Sequence, residues 1–122
     1  MNVILFLFLA FVLSLLDIVY TFYNVRILKQ HEKQWADAEY NPLVRTSWHI
    51  FGLMNGTLLA GAITLIFVLL LAYIIGEREF FQGFLIGMFV IVHHYHYINY
   101  AYLSKKYLKK KTSLLEKIIM KI

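Results

Sequence analysis

The chain has 122 residues, of which 61% are apolar, 17% are aromatic and 16% are charged. Soluble domains carry about 25% charged residues, so this composition indicates a membrane protein of one compact unit. The absence of cysteine excludes disulfides and thiolate metal sites. We expect no nucleic-acid binding, because the net charge of +5 comes mainly from a basic cluster at and after Lys105, a placement typical of lipid contact.

The first apolar run covers residues 2–24 and predicts a membrane span. No basic segment precedes it, no small-residue cleavage site follows it, and it continues through Asp17, so it is not typical of a signal peptide. About 20 residues at a rise of ~1.5 Å each are enough to cross the hydrocarbon core.

A polar connection follows at residues 26–47 and contains the only proline, in the sequence Asn41-Pro42-Leu43. Asparagine is a favoured N-cap and proline is favoured at the first helical position, so we predict that a helix begins at Pro42. This helix should run along the interface, with Trp48 at headgroup depth, before it turns into the second span, residues 48–75.

Small residues mark the two later spans. In the second span they recur every four residues, at Gly52, Gly56, Ala60 and Thr64. The third span, residues 80–103, follows a tight polar turn at residues 76–79 and carries Gly83 and Gly87. Small residues at this spacing favour close helix packing, so we expect both stripes to face neighbouring helices.

The tail, residues 104–122, is basic and then amphipathic, and a capping box from Ser113 to Glu116 predicts a helix on the membrane surface. The alternative is a frayed tail. The lysines expected to contact lipid headgroups are Lys105, Lys106, Lys109, Lys110 and Lys111. The predicted fold is therefore all-α: one polytopic membrane domain, 1–122, with three transmembrane helices and a C-terminal amphipathic basic helix.

Charge predicts the orientation of these spans in the cell membrane. With three spans, the first connection and the tail lie on one side, and they hold eleven of the twelve Lys and Arg residues. The other side holds only Arg78. The positive-inside rule then places the N-terminus outside and the C-terminus in the cytoplasm.

Polar residues inside the spans lie near the cytoplasmic end in all three helices. On the first span Asp17, Thr21 and Asn24 are spaced by four and three residues and share one helical face. Residues of the second span, the third span and the connection complete a predicted polar pocket: Asn55, Asn99, Glu39 and Asn41. Because three helices enclose little volume, we expect a substrate pocket to require a partner or a homo-oligomer.

Three histidines interrupt the third span, and ionisable residues in a span usually have a function. His94 shares a helical face with Gly83 and Gly87, so we expect it to point into the bundle, whereas His93 and His96 share a second face. Imidazoles with carboxylates can hold a divalent metal such as Zn, Cu or Fe. The candidate ligands are Asp17, Glu39, His93, His94 and His96.

Each of these residues also has a purely structural interpretation. Asp17 can be a neutral, buried carboxylic acid that joins helices by a hydrogen bond. Glu39 can stabilise the start of the helix that follows it. The histidines can belong, with the neighbouring tyrosines, to an aromatic belt at the interface.

The pattern Asp17-x3-Thr21, followed by Glu39-x-Asn41-Pro42-Leu43 and a late Asn99, resembles the signature of a family of small archaeal and bacterial integral membrane proteins of unknown function. The resemblance covers about a quarter of the chain directly. It implies a three-span layout and a site at these positions, and it implies no reaction. The longer connection and the histidines depart from the family pattern.

Three functions fit these observations. The first is an accessory or structural subunit of a larger membrane complex, which contacts lipids and other membrane subunits or copies of itself. The second is a metal-dependent membrane hydrolase, in which the metal lowers the pKa of a bound water. The third, an ion or proton pathway, is disfavoured because the extracellular halves of the spans offer no polar lining.

Overall fold

The computed structural model describes residues 1–39 and 41–107, and every regular element in these ranges is helical. Helix α1 covers Val3–His31, a short 3₁₀ helix η1 covers Trp35–Ala38, α2 covers Pro42–Ile75 and α3 covers Glu79–Tyr107. The all-helical prediction is confirmed. The predicted surface helix from Ser113 lies outside the described residues.

Among the described residues, α1 and α2 are long and apolar enough to span a membrane. Helix α3 is as long as α1, with 29 residues, but Gln82 and the three histidines make it more polar, and it does not meet the same criterion. Two candidate spans are therefore established by length and composition, and the third stays a prediction.

Helix α1 lies between the other two helices: it packs against both α2 and α3, which contact each other only sparsely. Its first turn is capped by Asn2, whose side-chain oxygen accepts a hydrogen bond from the Leu5 amide at 2.8 Å. We call the end of the bundle near the turn between α2 and α3 the turn end, and the end near η1 the linker end. Toward the linker end α2 and α3 are separated by a cavity.

Helix α2 begins at Pro42, as predicted, and reverses direction at Gly52 (φ 83°, ψ −179°), a conformation that is essentially restricted to glycine. The segment before this bend folds back on the segment after it. A Cβ on Gly56 would lie 2.6 Å from the carbonyl oxygen of Ser47, so glycine is required for the two segments to touch. The straight part of α2 after the bend is therefore residues 53–75, within the candidate span Pro42–Ile75.

Trp48 is buried at 2% exposure, and its predicted position at headgroup depth stays a prediction. Its indole Nε1 donates a hydrogen bond to Thr57 Oγ1 at 2.9 Å, and its ring packs against Trp35 of η1 at 5.6 Å between centroids. The bend at Gly52 brings this side chain inward, which a straight helix would not do.

The core of the turn end is apolar and draws on all three helices: Phe6, Ala10, Ala72, Leu85 and Phe89. The α3 glycines do not contribute to it. A Cβ on Gly83 or Gly87 would meet nothing within 4 Å, so neither glycine packs closely against another helix of the described part of the chain. The buried face of α3 is instead the one that carries Leu85 and Phe89.

Tyr107 joins the C-terminal ends of α1 and α3. Its hydroxyl donates a hydrogen bond to Glu32 Oε1 at 2.5 Å, and its ring stacks on His31 at 4.6 Å between centroids. The hydrogen bond to Glu32 raises the pKa of Tyr107 above its usual value, with a smaller contribution from desolvation.

A raised folded-state pKa makes this contact sensitive to alkali. It contributes stability below about pH 10, the pKa of an unfolded tyrosine, and that contribution is lost as the pH rises through the higher folded value. We expect Glu32→Ala to lower the Tyr107 titration midpoint, measured as the phenolate absorbance difference between chains with and without Tyr107→Phe. Glu77→Ala, at the opposite end of the bundle, serves as the control. An unchanged midpoint in Glu32→Ala would contradict the contact.

Candidate functional site

A cavity of about 510 Å³ lies in the linker half of the bundle, between α2 and α3, with α1 as its floor. We call it the polar cavity. Its polar lining comes from all three helices and the connection: Asp17, Thr21, Asn24, Glu39, Asn41, Thr57, Thr64, Tyr95, His96 and Asn99. The lining of this cavity comes from a single chain, and the expectation that a substrate pocket requires a partner or a homo-oligomer stays a prediction.

An aspartate–histidine pair joins α1 to α3 at the floor of the polar cavity. His96 Nε2 lies 2.5 Å from Asp17 Oδ1, and Thr21 Oγ1 lies 3.3 Å from the same nitrogen. The Asp17 side chain is 28% exposed and that of His96 is 14% exposed. A carboxylate that accepts from one imidazole nitrogen orients the ring, so this pair can bind a polar group or move a proton.

Asn24 is 3% exposed and fixes the same region of α3 through the backbone. Its side-chain amide donates to the carbonyl oxygen of His96 at 3.1 Å. Asp17, Thr21 and Asn24 therefore act from one face of α1, two of them on the His96 side chain and one on its main chain. Their spacing of four and three residues is what places them together.

The connection contributes two cavity residues that also start α2. Glu39 Oε1 accepts a hydrogen bond from the Asn41 amide at 3.0 Å, and Asn41 Oδ1 caps the helix by accepting from the Leu43 amide at 3.0 Å. A second contact joins η1 to α2: the exposed side chains of Asp37 and His49 pair, with Asp37 Oδ1 2.9 Å from His49 Nε2. Glu39 therefore fits both interpretations: its side chain stabilises the start of α2, and it also lines the polar cavity.

Other residues proposed for the site lie elsewhere. Asn55 is on the exposed face of α2 and does not line the cavity. His93 Nε2 donates to the Leu13 carbonyl oxygen at 3.2 Å, and its ring packs against Tyr20 and Phe89. His94 Nε2 is buried, has no hydrogen-bond partner within residues 1–39 and 41–107, and does not line the cavity.

The histidine that reaches Asp17 is His96, whereas the glycine stripe pointed to His94. The reason is the rotation of α3 about its axis. A Cβ on Gly83 or Gly87 would meet nothing within 4 Å, so the glycines do not mark the face of α3 that contacts Asp17. His93 and His96 lie on the face that packs against α1.

The five candidate metal ligands are not brought together as one set. Within residues 1–39 and 41–107, no group of three His, Cys, Asp or Glu side chains is placed to hold a metal ion. The Asp17–His96 pair supplies two such side chains, and Glu39 lines the same cavity.

Three residues that line the cavity were not among the predicted pocket residues: Thr57, Thr64 and Tyr95. Thr57 occupies the cavity wall that was assigned to Asn55, and it is held there by Trp48. Thr64 lines the deeper part of the same wall. Tyr95 lines the cavity although it is 59% exposed, and an aromatic residue in an apolar run carries no signal for that position.

The predicted headgroup lysines fall partly within the described residues. Lys105 and Lys106 are exposed on the last turn of α3, and Lys106 Nζ lies 5.0 Å from the centroid of the Tyr107 ring. Lys109, Lys110 and Lys111 lie outside the described residues.

Neither family models, nor curated proteins, nor solved structures offer a match to this chain.

Proposed function

We propose that this chain is a three-span integral membrane protein that binds a ligand in the polar cavity, with its N-terminus outside and its C-terminus in the cytoplasm. Helices α1 and α2 have the length and composition of spans, and α3 matches α1 in length. The excess of Lys and Arg on the connection and the tail supports this orientation. The cavity then opens in the cytoplasmic half of the bilayer.

The observation that carries the proposal is the Asp17–His96 pair on the floor of the cavity. Ionisable side chains inside spans are rare and expensive, and they mark sites more often than they mark packing. Here the pair faces a cavity large enough for a small ligand, about 510 Å³. Thr21, Asn24 and Asn99 add hydrogen-bonding groups around it.

The absence of cysteine makes the topology directly testable. We expect a cysteine at Glu77, in the turn between α2 and α3, to react with a membrane-impermeant maleimide in intact cells. Cysteines at Lys33 and Lys105 should react only after lysis. Labelling of Lys105→Cys in intact cells, with Lys33→Cys protected, would mean that α3 does not cross the membrane.

Filling the cavity tests the binding function. Thr64→Phe places a large ring in the cavity wall. Ile63→Phe is a matched change at the preceding residue, which is 44% exposed. We expect small molecules that copurify with the protein from its native membrane, measured by mass spectrometry, to be lost in Thr64→Phe and retained in Ile63→Phe. Equal retention in both variants would contradict binding in the cavity.

A second candidate is the accessory subunit, favoured by the open glycine face of α3. Gly83 and Gly87 leave space where a helix of another membrane protein could approach closely. Gly87→Leu should then weaken association with a copurifying membrane protein, and a wild-type chain that is purely monomeric after mild extraction would remove this role.

The metal-dependent hydrolase and the proton pathway have less support. No third ligand accompanies Asp17 and His96 among the described residues. The apolar cluster that includes Phe6 and Phe89 fills the turn end, so the polar lining does not continue across the bundle.

A further inference from the structure

The polar cavity is acidic, in a chain whose net charge is +5. Its lining holds the carboxyl groups of Asp17 and Glu39 and, among the residues that the structure describes, neither lysine nor arginine. When both carboxyls are ionised, the cavity carries a net negative charge whether or not His96 is protonated. An anionic headgroup would face these carboxylates without a counter-charge, whereas a cation would be attracted.

The chemistry of the lining also favours a hydrogen-bond donor. Carboxylates only accept hydrogen bonds, and the side chains of Thr21 and Asn99 offer further acceptor oxygens. A primary ammonium group has three donors and no acceptor, so it can satisfy several of these oxygens at once. The ring of Tyr95 lies on the same cavity wall as His96 and can present its face to a cation.

The rest of the lining is apolar, and the cavity opens along one flank of the bundle. Val92 and Tyr95 both line it and are 37% and 59% exposed. On α1 the lining extends from Asp17 to Leu28, about 16 Å at ~1.5 Å per residue. The apolar side chains are Ile18, Val25, Leu28, Val44, Ala60, Val92 and Leu103. In the three-span arrangement the exposed flank faces acyl chains, which gives an apolar tail a place to lie.

We propose that the polar cavity binds an amphiphile with a primary amine head and an apolar tail, which enters between α2 and α3 from the bilayer. The inference rests on the proposed function, because it needs the cavity to be a binding site inside the membrane. The ammonium group binds at Asp17, the negative charge of Glu39 in the same cavity adds to its attraction, and the tail follows the apolar wall to the exposed flank. This assigns the chemical class of the ligand by charge complementarity and by the side of entry.

The test uses the full chain in nanodiscs and three probes: dodecylamine, dodecanol and dodecyl phosphate. We expect saturable binding of dodecylamine at about one molecule per chain above the empty-nanodisc background, with at least tenfold weaker binding of the other two. Asp17→Asn and Glu39→Gln should each weaken dodecylamine binding at least fivefold. Asp37→Asn removes an exposed carboxylate that pairs with His49 outside the cavity, and it should leave binding unchanged.

Each remaining outcome is decisive. Equal binding of dodecanol or of dodecyl phosphate would overturn the amine assignment while the cavity stands, provided that Thr64→Phe abolishes that binding. Binding of butylamine as tight as that of dodecylamine would overturn the amphiphile. Displacement of bound dodecylamine by an equimolar concentration of Zn²⁺, with no other competitor present, would assign the site to a metal. If no probe binds in a manner that depends on Thr64→Phe, the proposed function fails with the inference. If the Asp17→Asn variant does not fold, dodecylamine binding by Glu39→Gln, a change in the connection, decides whether the carboxylates are needed.

Discussion

Replacing Gly56 by alanine should lower the free energy of unfolding by about 1–3 kcal/mol, although alanine is the better helix former. The added Cβ would lie 2.6 Å from the Ser47 carbonyl oxygen and 2.9 Å from the Trp48 amide nitrogen. These are backbone atoms, so no side-chain rotation relieves the clash. The segment before the bend at Gly52 must therefore move away from the segment after it.

The consequence should reach the cavity, because the displaced segment follows directly on Asn41 and carries Val44, two of its lining residues. Unfolding in mixed micelles measures the stability loss, and a red shift of tryptophan fluorescence reports exposure of Trp48. Gly87→Ala is the control: a Cβ there meets nothing within 4 Å, so the change should be neutral or should stabilise α3 by up to about 1 kcal/mol. Equal effects of the two changes would contradict the folded-back α2.

Removing one member of the Asp17–His96 pair should cost more than removing both. Asp17→Leu deprives His96, whose side chain is 14% exposed, of its acceptor at 2.5 Å. An unsatisfied buried donor costs about 1–3 kcal/mol, and we expect a value near the lower end because Thr21 Oγ1, 3.3 Å from the same nitrogen, remains as an acceptor. His96→Leu should cost a similar amount for the stranded carboxylate.

The double variant Asp17→Leu/His96→Leu places two apolar side chains together and should recover part of that loss. A double-mutant cycle on the free energy of unfolding measures the coupling, which we expect to be about 0.5–3 kcal/mol for residues in direct contact. Tyr20→Leu, whose ring stacks on His96 at 6.4 Å without a hydrogen bond, serves as a comparison partner with weaker coupling. Strictly additive losses from Asp17→Leu and His96→Leu would mean that the pair does not form.

The apolar residues of α3 carry little information about the rotation of this helix in the bundle, because they occur on all of its faces. Phe80, Phe84 and Ile91 are exposed on it, whereas Leu85 and Phe89 are buried, and all five are similarly apolar. The prediction of its packing face therefore depended on Gly83 and Gly87, which lie on a face where an added Cβ would meet nothing within 4 Å. The same rotation brings His96, and not His94, to Asp17.

Local features were readable from the residues themselves. The start of α2 at Pro42 follows from Asn41 as N-cap, and the turn after Ile75 follows from Gly76, which adopts a positive φ of 61°. The polar residues of α1 share one face because of their spacing alone, and three of them do line one cavity.

The amino-acid sequence by itself determined that residues 1–39 and 41–107 are mainly helical, that α2 begins at Pro42, and which end of the bundle is polar, because capping, hydropathy and helical period are properties of neighbouring residues; it did not determine that α1 continues to His31, inside the predicted connection. Only the tertiary structure decided that α2 folds back at Gly52 to bury Trp48, that His96 is the partner of Asp17, and that residues of one chain line a cavity between α2 and α3. These features depend on the rotation and divergence of packed helices, which contacts between residues distant in the chain set and which local patterns do not encode.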